Sequence, residues 1–221
     1  NGEAVRTIVD GSGNGNNIIQ TTVNQRATLT TNHLNGFAAL NFDGVNDNYS
    51  DNIGGANYSE LDIITVMNFD LASQPASNTD YVYRIGAVYN KSISFSRANI
   101  NSGANADKYY SYCEGKARFG PVLDNSPTIY AQTFSGTTPF HFLRMDGAVQ
   151  SVTAHNSNFN LPPEWNIGRF LGTNPHGLDG KIVELIAFNS NLNTTQRIII
   201  ENHLASKYAL TLTSNDKFAH D

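Results

Sequence analysis

The sequence predicts an all-β protein, an antiparallel two-sheet sandwich with one short C-terminal α-helix. Strand-like runs bounded by Gly, Asn, Asp and Ser recur about every eight to fifteen residues with no helical pattern between them. Asp-Gly pairs at Asp43-Gly44 and Asp146-Gly147 separate such runs, and this dipeptide is a strong hairpin signal. Only near the end of the chain does the apolar period change from two to nearly four.

In order, Ala4 to Val9 is a short strand running into Asp10-Gly-Ser-Gly-Asn-Gly-Asn-Asn17. Glycine there tolerates positive φ while Asp, Ser and Asn fold back onto the backbone, so a tight, self-bonded loop is expected. Ala38 to Phe42 leads to the turn Asp43 to Tyr49, and Leu61 to Asp70 is a long strand. Asp80 to Tyr89 and Lys91 to Arg97 flank the turn at Tyr89-Asn90. Tyr109 to Tyr112 and Thr128 to Thr133 continue the pattern. Phe140 to Met145 returns through Asp146-Gly147 into Ala148 to Thr153, and Trp165 to Arg169 precedes the closing stretch.

That closing stretch begins at Gly177. From Lys181 to Phe188 the strand is apolar on both sides for most of its length, as a central strand should be. Asn193-Thr-Thr-Gln196 has capping-box spacing, which predicts a helix from about Thr194 to about Lys207. Ile199, Ile200, Leu204 and Tyr208 form its protein-facing stripe, leaving Arg197, Glu201 and Lys207 to water.

Composition bounds the function. A chain of 221 residues fits one sandwich domain, set here at residues 1–213, with the polar residues 214–221 as a linker stub. Fourteen Lys and Arg against 19 Asp and Glu give a net charge of -5, which argues against a nucleic-acid groove. No apolar run approaches the ~20 residues of a membrane span, so membrane insertion is not expected. The single cysteine, Cys113, excludes an internal disulfide framework and a multi-Cys zinc site, and reads as a small buried hydrophobe. His33, His155, His203 and His220 show no metal-ligand pairing. With no initiator Met or signal peptide at Asn1, the chain is expected to be part of a longer protein.

Two sets of candidate site residues emerge. Asp10, Asn14 and Asn16 gather hard oxygen donors of the kind calcium takes, although a polar turn explains the same residues. Asp43 and Asp47 could join them if the fold brings the two loops together. Asp179 and Glu184 join the set if the chain ends are neighbours. For carbohydrate, Tyr109, Tyr110, Tyr112 and Trp165 offer rings that stack on sugars, and Arg169 and His176 offer groups that bond hydroxyls. Each of these has a core alternative.

Several stretches together carry a resemblance: Asp10 to Asn17, Leu40-Asn-Phe-Asp-Gly44 with Asn46-Asp47, Ile167-Gly-Arg169, Asp179-Gly-Lys-Ile-Val-Glu184, and Asn202-His-Leu-Ala-Ser-Lys-Tyr-Ala-Leu210. In this order they resemble laminin-G-like domains of the concanavalin A-like lectin/glucanase superfamily, in the form found on bacterial secreted and surface proteins. The resemblance implies a jelly-roll sandwich, often with a structural calcium, serving as an extracellular carbohydrate-binding or adhesive module beside other domains of one polypeptide. Thr7-Ile8 stands where the family usually has an aromatic. Some relatives are glycoside hydrolases or polysaccharide lyases, and fold alone does not choose among these. The hydrolase strand Glu-x-Asp-x-Glu or Glu-x-Asp-x-x-Glu is begun by Glu60 and Asp62 and broken at Thr65, which cannot act as a carboxylic acid. The sequence therefore predicts a non-catalytic binding module, with a glycan-degrading enzyme or a structural spacer as alternatives.

Overall fold

In the computed structural model, residues 2–71, 79–88, 91–98, 100–113, 115–135, 141–153, 160–170 and 176–217 are described. The strands are β1 (Glu3–Ala4), β2 (Thr7–Ile8), β3 (Ile18–Ile19), β4 (Thr28–Leu34), β5 (Phe37–Asp43), β6 (Tyr49–Asn52), β7 (Glu60–Phe69), β8 (Asp80–Val88) and β9 (Lys91–Arg97). They continue as β10 (Lys108–Cys113), β11 (Lys116–Val122), β12 (Thr128–Ser135), β13 (His141–Met145), β14 (Ala148–Thr153), β15 (Glu164–Ile167), β16 (Arg169–Phe170), β17 (His176–Gly177) and β18 (Asp179–Phe188). The helix α1 (Thr194–Tyr208) follows.

Two antiparallel sheets face each other. The larger has the order β1-β4-β5-β18-β7-β12-β13-β14 and the smaller β11-β10-β9-β8-β15-β6. The β18 strand lies between β5 and β7, the central place its two-sided apolar pattern predicts. Alternation along β7 divides the molecule into two layers of core. Leu61, Ile63, Met67 and Phe69 face the smaller sheet, whereas Ile64 and Val66 face the helix. Between the sheets, Phe95 packs 4.8 Å from Tyr109 and 4.9 Å from Tyr130, ring centre to ring centre. Such aromatic contacts add about 0.5–1.5 kcal/mol each beyond the area they bury. Cys113 is fully buried in this layer. His141 is also buried and bonds Ser111 across the sandwich at 2.5 Å.

One irregularity sets which residues the smaller sheet shows to the outside. Between Tyr81 and Tyr83 the register of β8 against β9 shifts by a residue, a β-bulge. Val82 and Tyr83 are consequently both buried, at 0% and 1% exposed, while Tyr81 and Arg84 on either side share the outer face.

The helix begins as its capping box predicts. Asn193 Oδ1 accepts from the Gln196 N–H and Gln196 Oε1 from the Asn193 N–H, both at 2.9 Å, a motif worth about 1 kcal/mol. Its buried face differs from the expected stripe. Ile199 is 59% exposed, while Glu201, Leu204, Ala205 and Tyr208 are buried. The reason is electrostatic: Glu201 meets Arg144 of β13, and Arg197 reaches Asp62 of β7, so two residues expected in water dock the helix instead.

The chain remains attached beyond residue 213. The Thr213 N–H donates to the Asp146 carbonyl, Asn202 donates to the Asn215 carbonyl, and the Lys217 N–H donates to Asn202 Oδ1 at 2.6 Å. Residues 214–217, expected as a linker, thus belong to the folded unit. The Asp146-Gly147 turn that they cover has φ of 46° and 79°, the doubly positive pair of a type I′ hairpin.

Candidate functional site

The outer face of the smaller sheet is polar where an exposed sheet face needs to be, yet much of it is buried. Reading across the strands, Ser50, Asn166, Arg84, Ser94, Tyr112 and Ala117 lie opposite one another in a single row. The neighbouring row holds Tyr81, Ser96, Tyr110 and Phe119. Tyr81, Arg84, Ser92, Ser94, Tyr112 and Phe170 line a shallow depression. Phe170, carried by β16, forms one wall, stacking on Tyr81 with ring centres 5.2 Å apart and an interplanar angle of 28°. The same ring lies 4.5 Å from the guanidinium carbon of Arg84, a cation–π contact.

The polar atoms here are incompletely bonded. Arg84 is 6% exposed and its Nε has no hydrogen-bond partner; Asn166, directly opposite, is 2% exposed and its Oδ1 has none. Ser96 Oγ is in the same condition. Buried polar atoms are ordinarily paired, because leaving one unsatisfied costs about 1–3 kcal/mol. A buried donor and a buried acceptor are thus left without a partner in the protein on adjoining strands, beneath the tyrosine and phenylalanine rings. Burial lowers the proton affinity of Arg84, opposed by its interactions with Tyr81, Glu164 and Tyr112.

The expected sugar-binding residues are divided by strand alternation. Tyr110 and Tyr112 lie on the outer face, and Tyr112 lines the depression. Tyr109 does not: it is fully buried between the sheets against Phe95 and Tyr130, because it has the opposite parity on β10. Trp165 is likewise a core residue, 2% exposed, its indole N–H donating to the Tyr58 hydroxyl at 3.1 Å. Arg169 is half-buried, with Nε unpartnered, and alternation sends it to the opposite side of β16 from Phe170. His176 pairs with Phe170 through β17, and its side chain lies outside the described residues. The sequence reasoning missed Arg84, Asn166, Tyr81 and Phe170. The available signal was a lone cation within Val82-Tyr83-Arg84-Ile85, a run otherwise fit for a core strand.

Of the expected calcium ligands, Asp43, Asp47 and Asp179 lie together and Glu184 lies apart from them. Asp10 accepts from the Ser12 N–H at 2.8 Å and the Asn16 N–H at 3.0 Å, the self-bonded loop that the sequence suggests, and the Ser12 hydroxyl together with these bonds holds its carboxyl below the ordinary value. The Asn14 amide is turned to Ser12 Oγ at 3.0 Å. Asp43 and Asp179 lie opposite each other at the β5–β18 pairing, and Asp47 reaches the Asp43 N–H at 3.0 Å. Asp43 itself accepts from the Val45 and Asn46 N–H groups. Glu184 is elsewhere, bonded to Lys207 at 2.9 Å and Tyr208 at 2.6 Å beneath the helix. Among the described residues no group of three or more His, Cys, Asp or Glu is placed to hold a metal ion.

The Glu60 and Asp62 pair is bound into the fold. Asp62 is 1% exposed and accepts from Thr133, from the Leu192 N–H at 2.6 Å and from Arg197. Glu60 accepts from the Asn191 N–H at 3.3 Å. Asp62 shares its side of β7 with Ile64 and Val66, under the helix and away from the depression.

No family model matches the chain, and no curated protein matches it in sequence. Solved structures do. A GH54 α-L-arabinofuranosidase soaked with a cyclic sulfate inhibitor is similar with a TM-score of 0.68 at 15% identity, over 93% of this chain and 51% of that one. A structure from work on the interaction of botulinum neurotoxin type C with two ganglioside molecules is similar with a TM-score of 0.57 at 10% identity, over 91% and 51%. Trypanosoma rangeli sialidase in complex with sialic acid gives 0.55 at 11% identity, over 93% and 33%. At these identities the likeness shows the fold, an antiparallel β-sandwich. The chain spans about half the length of the first two and a third of the sialidase.

Proposed function

We propose that this chain is a non-catalytic carbohydrate-binding module of laminin-G-like type, working outside the cell as part of a larger secreted or surface protein. Its glycan site is the outer face of the smaller sheet. One observation carries this reading: Arg84 Nε and Asn166 Oδ1, opposite each other on β8 and β15, are a buried donor and acceptor with no partner in the protein. A sugar supplies vicinal hydroxyls that both donate and accept, and Tyr112, Tyr81 and Phe170 supply the ring faces. The non-catalytic part of the reading is supported by Asp62 and Glu60, whose carboxylates serve the helix junction.

A glycan array probed with the intact chain, followed by calorimetry on the strongest hit, tests the proposal. Asn166→Ala and Tyr112→Ala should each weaken binding by roughly tenfold, the cost of losing a hydrogen bond or a stacking contact. If the wild-type chain retains no glycan, the reading fails. Release of reducing ends or unsaturated products from array-positive polysaccharides would replace it with an enzyme.

A further inference from the structure

We propose that the outer face of the smaller sheet takes a saccharide bearing a carboxylate, a uronic or sialic acid, and that Arg84 binds the acid group. The proposal rests on the reading of this face as a glycan site and names the class of sugar.

The fold sets an acidic side chain beside its other buried guanidinium groups. Arg144 is buried and is given a carboxylate, Glu201 at 2.8 Å, and the buried Arg97 has the Asp80 carboxyl 2.9 Å away. Arg84 is buried as well, yet among the described residues it forms no ion pair. Directly across the strands it meets Asn166 and Ser94, both neutral, and Glu164, beside Asn166 on β15, acts on it through space without forming an ion pair. A buried cation costs several kcal/mol unless a counter-charge and hydrogen bonds compensate it. The Phe170 ring compensates only in part, and Nε is left with no acceptor. What the site lacks is therefore a planar anionic acceptor.

A carboxylate matches the guanidinium fork in shape as well as charge, since two parallel N–H···O bonds form in one plane. With the acid on Arg84, the open Asn166 oxygen is placed to accept a hydroxyl of the same sugar. The Ser92 and Ser94 side chains line the same depression, and Tyr81 and Tyr112 border it with rings. A neutral sugar could use the hydroxyl contacts but would leave the guanidinium as it is now.

The test compares each acidic sugar with its uncharged counterpart on the intact chain by calorimetry: trigalacturonate against its methyl ester, and sialyllactose against lactose. An acidic member of one pair should bind roughly tenfold to a hundredfold more tightly than its neutral partner, the range for gaining a charge-assisted hydrogen bond. Arg84→Gln should abolish that difference while leaving the weaker neutral binding. Arg84→Lys should restore only part of it, because an ammonium lacks the fork. If Arg84→Gln fails to fold, the wild-type comparison and its weakening with added salt decide the matter. Equal binding of acid and neutral partner overturns the carboxylate assignment and leaves the glycan reading standing. So does tighter binding of a sulfated heparin oligosaccharide than of either carboxylated probe. Absence of binding to these probes and to every array glycan overturns both.

Discussion

Arg144 on β13 holds Glu201 of the helix with two parallel bonds, Nε to Oε1 and Nη2 to Oε2, each 2.8 Å long. Nη2 also donates to the Gly147 carbonyl at 2.7 Å, so one guanidinium ties helix, strand and hairpin together. Glu201 is 1% exposed, and removing either partner leaves a buried charge alone. Glu201→Ala should cost about 3–5 kcal/mol in chemical denaturation. The double replacement Arg144→Met with Glu201→Met should cost much less, because it leaves no charge behind. Equal losses in the two variants would show that the pair is not electrostatically coupled.

Acid should stabilise this protein between pH 8 and pH 5. Burial, reinforced by the charge of Asp43, raises the Asp47 carboxyl from 3.8 to about 6. Asp146 also rises to about 6, chiefly through burial and against the Ile129 N–H bond. Asp80 rises to about 8, since burial outweighs the attraction of Arg97, with Asp179 and Asp107 adding to the rise. A folded-state pKa above the unfolded one means that the native state holds the proton more tightly. The stabilisation is then complete below the unfolded pKa and is lost as pH rises through the folded value. Urea midpoints measured from pH 5 to 8 should fall steadily, and Asp47→Asn should flatten the part near pH 6. A midpoint that rises with pH over this window would contradict the assignment.

Gly168 should tolerate no side chain. It has φ of +83°, and a Cβ there would stand 2.2 Å from Phe42 Cε1 and 3.0 Å from the Asp47 carbonyl oxygen. Phe42 is fully buried and has little room to move. Gly168→Ala therefore combines left-handed backbone strain with overpacking, and a loss of at least about 2 kcal/mol is expected. For a chain of this size that is a fall of roughly 4–8 °C in melting temperature. A fall of under a degree would mean that the ring yields freely.

Calcium should leave the melting temperature unchanged. A site filled at a hundred times its Kd would add about 2.7 kcal/mol, a shift of several degrees. Of the carboxylates expected to form one, Asp10, Asp43 and Asp47 are bonded to backbone N–H groups and Glu184 to Lys207 and Tyr208. Scanning calorimetry with millimolar calcium and then with EDTA checks this, and a reversible shift would reinstate the metal.

The local parts of this fold are legible in the sequence because their causes are local. The capping box at Asn193, the Asp146-Gly147 turn and the self-bonded loop after Asp10 each depend on residues within seven positions of one another. Parity is another matter. Tyr109, Tyr110 and Tyr112 display an alternation, but nothing local says which phase faces the partner sheet. Long-range pairing is less legible still. Glu201 looks like a solvent residue until Arg144, 57 positions away, is placed beside it. The same blindness hid the candidate site: Arg84 and Asn166 become neighbours only through the β8–β15 pairing.

The bulge in β8 has a consequence for how the chain could vary. Removing one residue from a strand ordinarily turns every later side chain to the wrong face. Here Tyr81 faces out, Val82 and Tyr83 face in, and Arg84 faces out again, so loss of Val82 would restore strict alternation with Tyr81 and Arg84 unmoved. At this point the strand has a spare position, and its length can change by one without disturbing the face that carries Arg84.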